Sequence, residues 1–450
     1  MIKSALFWKV LTLAGCLLLL LVPLSQLNSL IAERSAWRDE VASKLSQSTS
    51  GPQRLLGPLI VVPYSITRMV NDGEKTQPQR LDYLRYYLPE ELKIVGDQQV
   101  EPRTIGIYQG QVWRSGLTVN ARFDRSRLSD LQKPDIVIGE PRVVLVVGDS
   151  RGISAVSALE AGGQPIDFQP GSELDGNSEG LHAALPPALL QQPTLQLSFT
   201  LRLQGTQQLQ VIPLGKNSRF DLKSNWPHPG FTGSFLPERR EVSAQGFSAS
   251  WQSSWFANNL NSRFHDDARI QAQLLPAFSA TVVNPVDQYQ LTQRAVKYAI
   301  LLIGLTFMTF FLFETLSALR VHPMQYLLVG LSLVMFFLVL LALSEHIGFN
   351  LAWLAASLTC AAINGFYLQA ILGGRRALLF TAGLLLLDAV LWQLLQSEDS
   401  ALLLGTGVLM VALATVMGLT RKIDWYALRQ PDAEAPAAEG QEEGCFRLWK

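Results

Sequence analysis

Between Leu301 and Thr420 the only charged residues are Glu314, Arg320, Glu345, Arg375, Arg376, Asp388, Glu398 and Asp399, and long apolar runs lie between them. A stretch that poor in charge cannot form the surface of a water-soluble domain. It predicts membrane-spanning helices, each needing roughly 20 apolar residues to cross about 30 Å of hydrocarbon. Six segments qualify: 7–27, 298–319, 326–343, 351–371, 377–395 and 402–419. The last five are joined by short connections and must form consecutive antiparallel hairpins. Arg320, Arg375-Arg376 and Arg421-Lys422 mark alternate connections, whereas Ser344–His346 and 397–400 carry no Lys or Arg. By the positive-inside tendency the basic ends face the cytoplasm. Both termini are then cytoplasmic, and 28–295 is exported. Trp353 and Trp392 at the outer ends, with Tyr326, Tyr367 and Trp425-Tyr426 at the inner ends, make a matching aromatic belt.

The first segment has two readings. Lys3, Lys9 and the apolar centre 10–22 resemble a signal peptide, but no clean small-x-small cleavage site follows Pro23, which favours an uncleaved anchor. Beyond it Leu30, Trp37, Val41 and Leu45 recur at helical spacing, with Glu40 four residues before Lys44, and 48–52 closes the helix.

From there the period of the apolar pattern changes to two. Leu195, Leu197, Phe199, Leu201 and Leu203 share one face of a strand, and Leu117, Val119, Ala121 and Phe123 repeat the pattern, as do Phe247, Ala249 and Trp251. Turn signals such as Asn71-Asp72-Gly73, Gly96-Asp97 and Gly215-Lys216-Asn217 separate these runs. The expected fold is a membrane protein of α plus β class: cytoplasmic N-terminus and first transmembrane helix (1–27), a juxtamembrane helix (28–50), and a large, mainly antiparallel β domain in the periplasm (51–295). A C-terminal bundle of five transmembrane helices (296–420) and a mostly disordered cytoplasmic tail (421–450) complete the chain, the tail because 429–444 has almost nothing apolar to bury.

Thirty-seven basic and 37 acidic residues cancel, and there is no repeat of aromatic and basic residues, so nucleic acid is not an expected partner. Cys16 and Cys360 lie within spans and Cys445 in the tail, which leaves the exported domain no disulfide, cysteine zinc site or thiol nucleophile.

GDSRG (148–152) fits the G-x-S-x-G pattern of a hydrolase nucleophile elbow, and the run 143–147 supplies a strand before it. The segment after it, 153–159, reads equally as a short helix or an outer strand, and the repeated strand-helix units of an α/β-hydrolase are absent. A turn held by the Asp149 and Ser150 side chains is the expected reading, although His182, His228 and His265 lie downstream as candidate bases. His265-Asp266-Asp267 has ligand-type side chains, but neighbours in a strand point to opposite faces, so no metal is assigned. LGKNS (214–218) lacks the glycine spacing of a phosphate loop. No catalytic constellation and no cofactor motif emerges.

Two aromatic peptides remain as candidate contacts with a ligand or partner. In SNWPHPGF, prolines flank His228 between Trp226 and Phe231; the loop either grips a ligand or stitches itself onto the core. Trp255 and Phe256 in SSWFANN form either an ordered cap or a contact surface. Inside the membrane Asp388 is the outlier, with Glu314 and Asn364 as the nearest polar candidates. Counting from the inner edge puts Asp388 ~16 Å deep and Asn364 roughly 11 Å deep, so a hydrogen bond between them is the expected structural role. A proton-linked transporter is the rival reading, weakened because the spans from Tyr298 onward contain no proline and no inverted repeat.

Several stretches together are similar to the CreD family of bacterial inner-membrane proteins: QSTSGPQ (47–53), IGIYQGQVW (105–113), SNWPHPGF (224–231), WQSSWFANN (251–259), DQYQLTQRAVKYAILLI (287–303) and the terminal RLWK. The resemblance implies a Gram-negative cell-envelope protein under the CreB/CreC two-component system, linked to envelope integrity, colicin tolerance and the response to β-lactams. It implies no biochemical activity. The expected function is therefore a non-enzymatic inner-membrane protein whose periplasmic β domain binds or scaffolds envelope proteins or cell-wall components. The lipid bilayer is its other partner. A small transporter using Asp388 is the alternative, and a periplasmic serine hydrolase the third.

Overall fold

A computed structural model describes residues 5–71, 76–124, 131, 136–266, 270–283, 287–316, 321–397 and 401–421. Arg320, the Asp72-Gly73 turn, Asp267, Glu398, Asp399 and the tail from Lys422 lie outside the described residues. The fold is α plus β and divides into two compact units, 36–286 and 1–35 with 287–450.

In order, the helices are α1 (Ala5–Ser48), α2 (Trp255–Asn258), α3 (Gln288–Lys297), α4 (Ala299–Leu316), α5 (Pro323–Ile347), α6 (Phe349–Leu372), α7 (Gly374–Gln396) and α8 (Ala401–Thr420). The first segment and the juxtamembrane helix are one continuous helix of 44 residues, α1, rather than two. The sequence explains this: between Leu27 and Ser48 there is neither glycine nor proline to interrupt the hydrogen-bond ladder. Among the described residues four helices are long and apolar enough to cross a membrane (α1, α5, α6 and α7), and a fifth span results if α3 and α4, bent by 42°, count as one. The apolar core of α8 is shorter, Leu403–Gly418.

Polar pairs tie the helical unit together. Glu314 on α4, buried, accepts hydrogen bonds from Tyr326 Oη on α5 (2.8 Å) and Val321 N (2.8 Å), and pairs with Lys9 on α1. Leu20, Leu24, Leu27 and Ile31 of α1 are buried in the same unit. Gly330 makes room for that packing, since a Cβ there would lie 2.3 Å from Leu20 Cδ1. At the start of α5, His322 and Gln325 form a capping box with Pro323 in the first turn, an arrangement that satisfies the free amide groups of the helix end.

Among its described residues the other unit holds two sheets of nine strands each. In the first, the spatial order is Gln169–Pro170, Gly180–Ala184, Arg142–Val146, Gln53–Asn71, Gln208–Val211, Phe278–Val282 and Pro229–Gly233, with Thr76–Tyr87 and Ile136–Ile138 also on Gln53–Asn71. The second runs Arg239–Ser243, Gly246–Ser254, Asn217–Ser224, Glu91–Ile105, Tyr108–Asp124, Thr194–Thr206, Leu159–Ala161 and Gln164–Ile166, with Ile153–Val156 also on Thr194–Thr206. Pairing is antiparallel except between Gln53–Leu55 and Leu209–Val211, and between Glu91–Gln98 and Asn217–Ser224. The alternation along Thr194–Thr206 is the alternation of burial, its leucines and Phe199 inside and Thr194, Gln196, Thr200 and Arg202 exposed. The inner faces share one apolar core, in which Trp113, Phe123, Phe220, Trp251 and Phe278 are fully buried.

Candidate functional site

GDSRG is neither a nucleophile elbow nor a simple β-turn. Ser150–Gly152 is a single 3₁₀ turn capped by Asp149, and Ile153–Val156 continues as a strand. The Ser150 hydroxyl is committed to a neighbouring strand, accepting from Gly180 N at 2.9 Å, and its own amide donates to Glu179 (2.9 Å). His182, the histidine closest in sequence, has Nδ1 on Gly171 O at 2.8 Å and Nε2 3.5 Å from Glu173. Among the described residues no histidine contacts Ser150. Of the two side chains expected to hold the turn, Asp149 does so through the Arg151 amide, whereas the partner of Ser150 is 30 residues away. We expect Ser150→Ala to cost about 1–3 kcal/mol, the cost of one unsatisfied buried amide, and to leave protein level and function intact. Loss of function at normal protein level would return the serine to a catalytic role.

What the motif builds is a joint. Residues 45–48 end α1, and its free carbonyls need donors. Arg151 supplies one, Nη1 to Gln47 O at 2.5 Å, while Asp149 holds Arg151 through Nε (3.0 Å), Nη2 (2.6 Å) and the amide (3.0 Å). The Asp149 carboxylate also accepts from Gly51 N (3.2 Å), and Gln53 bridges Asp149 O and Gln204 O. Hydrogen bonding from the Arg151 guanidinium holds the Asp149 carboxyl below the usual carboxylate range, and the same contact raises Arg151. On the other side of the helix end, Leu45 sits against Gly110, where a Cβ would lie 2.6 Å from its Cδ2. Of the peptides that carry the family resemblance, QSTSGPQ contains the last residues of α1, and IGIYQGQVW packs through Gly110 against Leu45 in its last turn.

The aromatic candidates separate. Phe231 is a packing residue, edge-on to Phe247 (5.6 Å) and Trp251 (5.7 Å). Trp226 is partly buried and donates Nε1 to Val283 O at 2.9 Å, so this loop is stitched to the core. His228 is exposed, 6.3 Å from the Trp226 ring. Trp255 and Phe256 lie on α2: Lys216 Nζ is 5.0 Å from the Trp255 ring, and Phe256, edge-on to Trp255 at 5.6 Å, is 88% exposed. Asp266 is held by Arg85 (2.9 Å) and Tyr64 Oη (2.8 Å), which gives it a structural partner set.

Within the helical unit the expected Asp388–Asn364 bond does not form. Asn364 turns to α5, exchanging hydrogen bonds with Ser332 Oγ (2.8 and 2.9 Å) and donating to Cys360 O (2.9 Å). Asp388 faces Ser357 instead, its carboxyl beside the Ser357 hydroxyl, and both residues are buried. Depth counted from each apolar edge misplaced the pair. Counted from the hairpin at Gly373, Asp388 is fifteen residues along α7 and Ser357 sixteen back along α6, so the two come level.

A family model described as inner membrane protein CreD matches residues 5–426. Inner membrane protein CreD of Escherichia coli (strain K12) is 53% identical over 451 residues, with 100% of both chains covered. Among solved structures, a Deinococcus radiodurans M1 zinc metallopeptidase bound to a Tyr-Ser-Ala substrate aligns with a TM-score of 0.22 and 11% identity, over 42% of this chain and 41% of its own. A yeast LTA4 hydrolase in complex with bestatin aligns at 0.22 and 9%, over 45% of this chain and 29% of its own. At that level neither fold nor chemistry transfers.

Proposed function

The chain belongs to the CreD family of inner-membrane proteins, and from that premise we propose that it supports cell-envelope integrity as a non-enzymatic scaffold. In this reading the β unit lies in the periplasm and binds envelope proteins or cell-wall components, while α1 and a C-terminal bundle of five helices hold it to the inner membrane with both termini cytoplasmic. The alternation of basic and non-basic connections supports the orientation, and the resemblance supports the link to the CreB/CreC regulon, colicin tolerance and β-lactam response.

The observation that carries the reading is the exposed ring of Phe256 on α2. Phe256 at 88% exposure, propped on Trp255 beside Lys216, puts a large apolar ring where folding gains nothing from it. Rings so placed are enriched at protein interfaces. A photo-crosslinking residue at position 256 in living cells should yield discrete adducts with envelope components that one at Gln252, on the strand Gly246–Ser254, does not. Phe256→Glu should weaken envelope integrity at unchanged protein level. Identical adduct patterns at the two positions, with a silent Phe256→Glu variant, would refute the scaffold.

A second reading rests on Asp388. A buried carboxyl faced by a single serine hydroxyl is costly inside a membrane, and such residues mark proton or ion routes. The scaffold reading expects Asp388→Asn to retain function, because an amide replaces a neutral acid as donor and acceptor. Transport expects a null variant at normal protein level, because an amide cannot take up and release a proton.

A further inference from the structure

Next to the joint, the β unit contains an open cleft of about 370 Å³, within the range of small-molecule sites of about 300–1,000 Å³. Its walls include Arg54, Gln208, Gln210, Gln273 and Glu179, and Gly148, without a side chain, forms part of the lining. Arg54 is fixed from two sides: Nη1 donates to Gln210 Oε1 at 2.6 Å, and Nη2 to the Leu275 carbonyl. Both acceptors are neutral. A guanidinium has five N–H donors, and Nε here has no partner among the described residues. Among the described residues no carboxylate pairs with Arg54, whereas most of the other arginines in this unit with resolved partners sit against an acid. Burial pushes its pKa down, the direction expected of a cation without an anion.

We propose that this cleft is a binding site for a short peptide with a free carboxylate, the carboxylate neutralising Arg54 and the peptide groups hydrogen-bonding to the glutamine amides. Three features select this class. Among the described residues Arg54 is the one cation of the lining and Glu179 the one carboxylate, so the wall is neutral, which suits a zwitterion and disfavours a phosphate dianion. Gln210 is engaged with Arg54 and Gln208, whereas the Gln208 amide nitrogen and the Gln273 amide leave donors and an acceptor for a peptide backbone. None of the described lining residues is aromatic, so the cleft lacks the flat apolar surface on which a sugar ring stacks.

The site goes beyond scaffolding and does not depend on it. It also adjoins the joint, since Gln53 both lines the cleft and holds Asp149 O, and Glu179 both lines the cleft and accepts from Ser150. The test is calorimetry on the full-length protein in nanodiscs with diglycine, triglycine and L-dialanine, each as free acid and as C-terminal amide, and with inorganic phosphate. At least one free acid is expected to bind, at least tenfold more tightly than its own amide, and Arg54→Gln should erase that difference. The comparison of acid with amide on the unmodified protein stands even if the variant folds poorly. No binding by any peptide, equal affinity for acid and amide, or phosphate bound more tightly than every peptide would overturn the proposal.

Discussion

Glu314→Leu is expected to loosen α1 from the helical unit and to lower stability by about 3 kcal/mol, the low end of the 3–5 kcal/mol lost on removal of one partner from a buried ion pair. The low end applies because the Lys9 side chain is 31% exposed, and a long amine reaches water once its partner is gone. Three groups lose their acceptor together: Lys9 on α1, Tyr326 Oη on α5 and the Val321 amide. Glu314→Gln keeps an acceptor for two of them and should cost less than the leucine. Thermal unfolding in nanodiscs gives the size of the effect, and hydrogen exchange along α1 gives its place. Faster exchange confined to regions other than α1, or a leucine variant as stable as the parent, would show that apolar packing by Leu20, Leu24, Leu27 and Ile31 holds the helix without the pair.

Asp149→Ala should open the joint. The carboxylate accepts from Gly51 N and from three Arg151 groups, and hydrogen bonds to a charged acceptor contribute about 1.5–3 kcal/mol each at most. Arg151 is largely exposed, so its share is small, and a total of about 2–3 kcal/mol is expected. The contribution has a pH signature. Asp149 is held below its ordinary value, so its stabilisation is fully present above the unfolded aspartate pKa of about 3.9 and is lost as pH falls through the lowered native value. The parent protein should therefore converge on the alanine variant in acid and separate from it toward neutral pH. Hydrogen exchange over residues 47–53 is the local readout. Unchanged protection there would mean that the joint is held by Gln53 and Ser50 alone.

These two predictions sit on residues that the sequence presented quite differently. Lys9 reads as the basic flank of a first apolar segment and Glu314 as an isolated intramembrane acid. Nothing in their spacing, 305 positions apart, says that they pair. Asp149 and Arg151 read as parts of a hydrolase-like pentapeptide. Only the approach of α1's last turn shows Arg151 to be a donor for a helix carbonyl. The exposed ring of Phe256 was legible as a candidate beside Trp255, but the packing of Phe231 against Trp251 was not, because a strand period assigns faces without saying which element covers them.

The sequence by itself determined the division into charge-poor helices and period-two strands, the apolar faces of those strands, and membership of an inner-membrane family, since each depends on local periodicity or on long matching peptides. Tertiary structure decided which polar groups meet. Asp388 faces Ser357 rather than Asn364, Ser150 serves Gly180 rather than a histidine, and Arg54 stands in a cleft without an acid. The reason is that hydrogen bonds and ion pairs act over about 3 Å, whereas depth and register inferred along a helix err by a turn of ~5.4 Å. A pattern can place a residue on a face, but the contact itself depends on how separate elements pack.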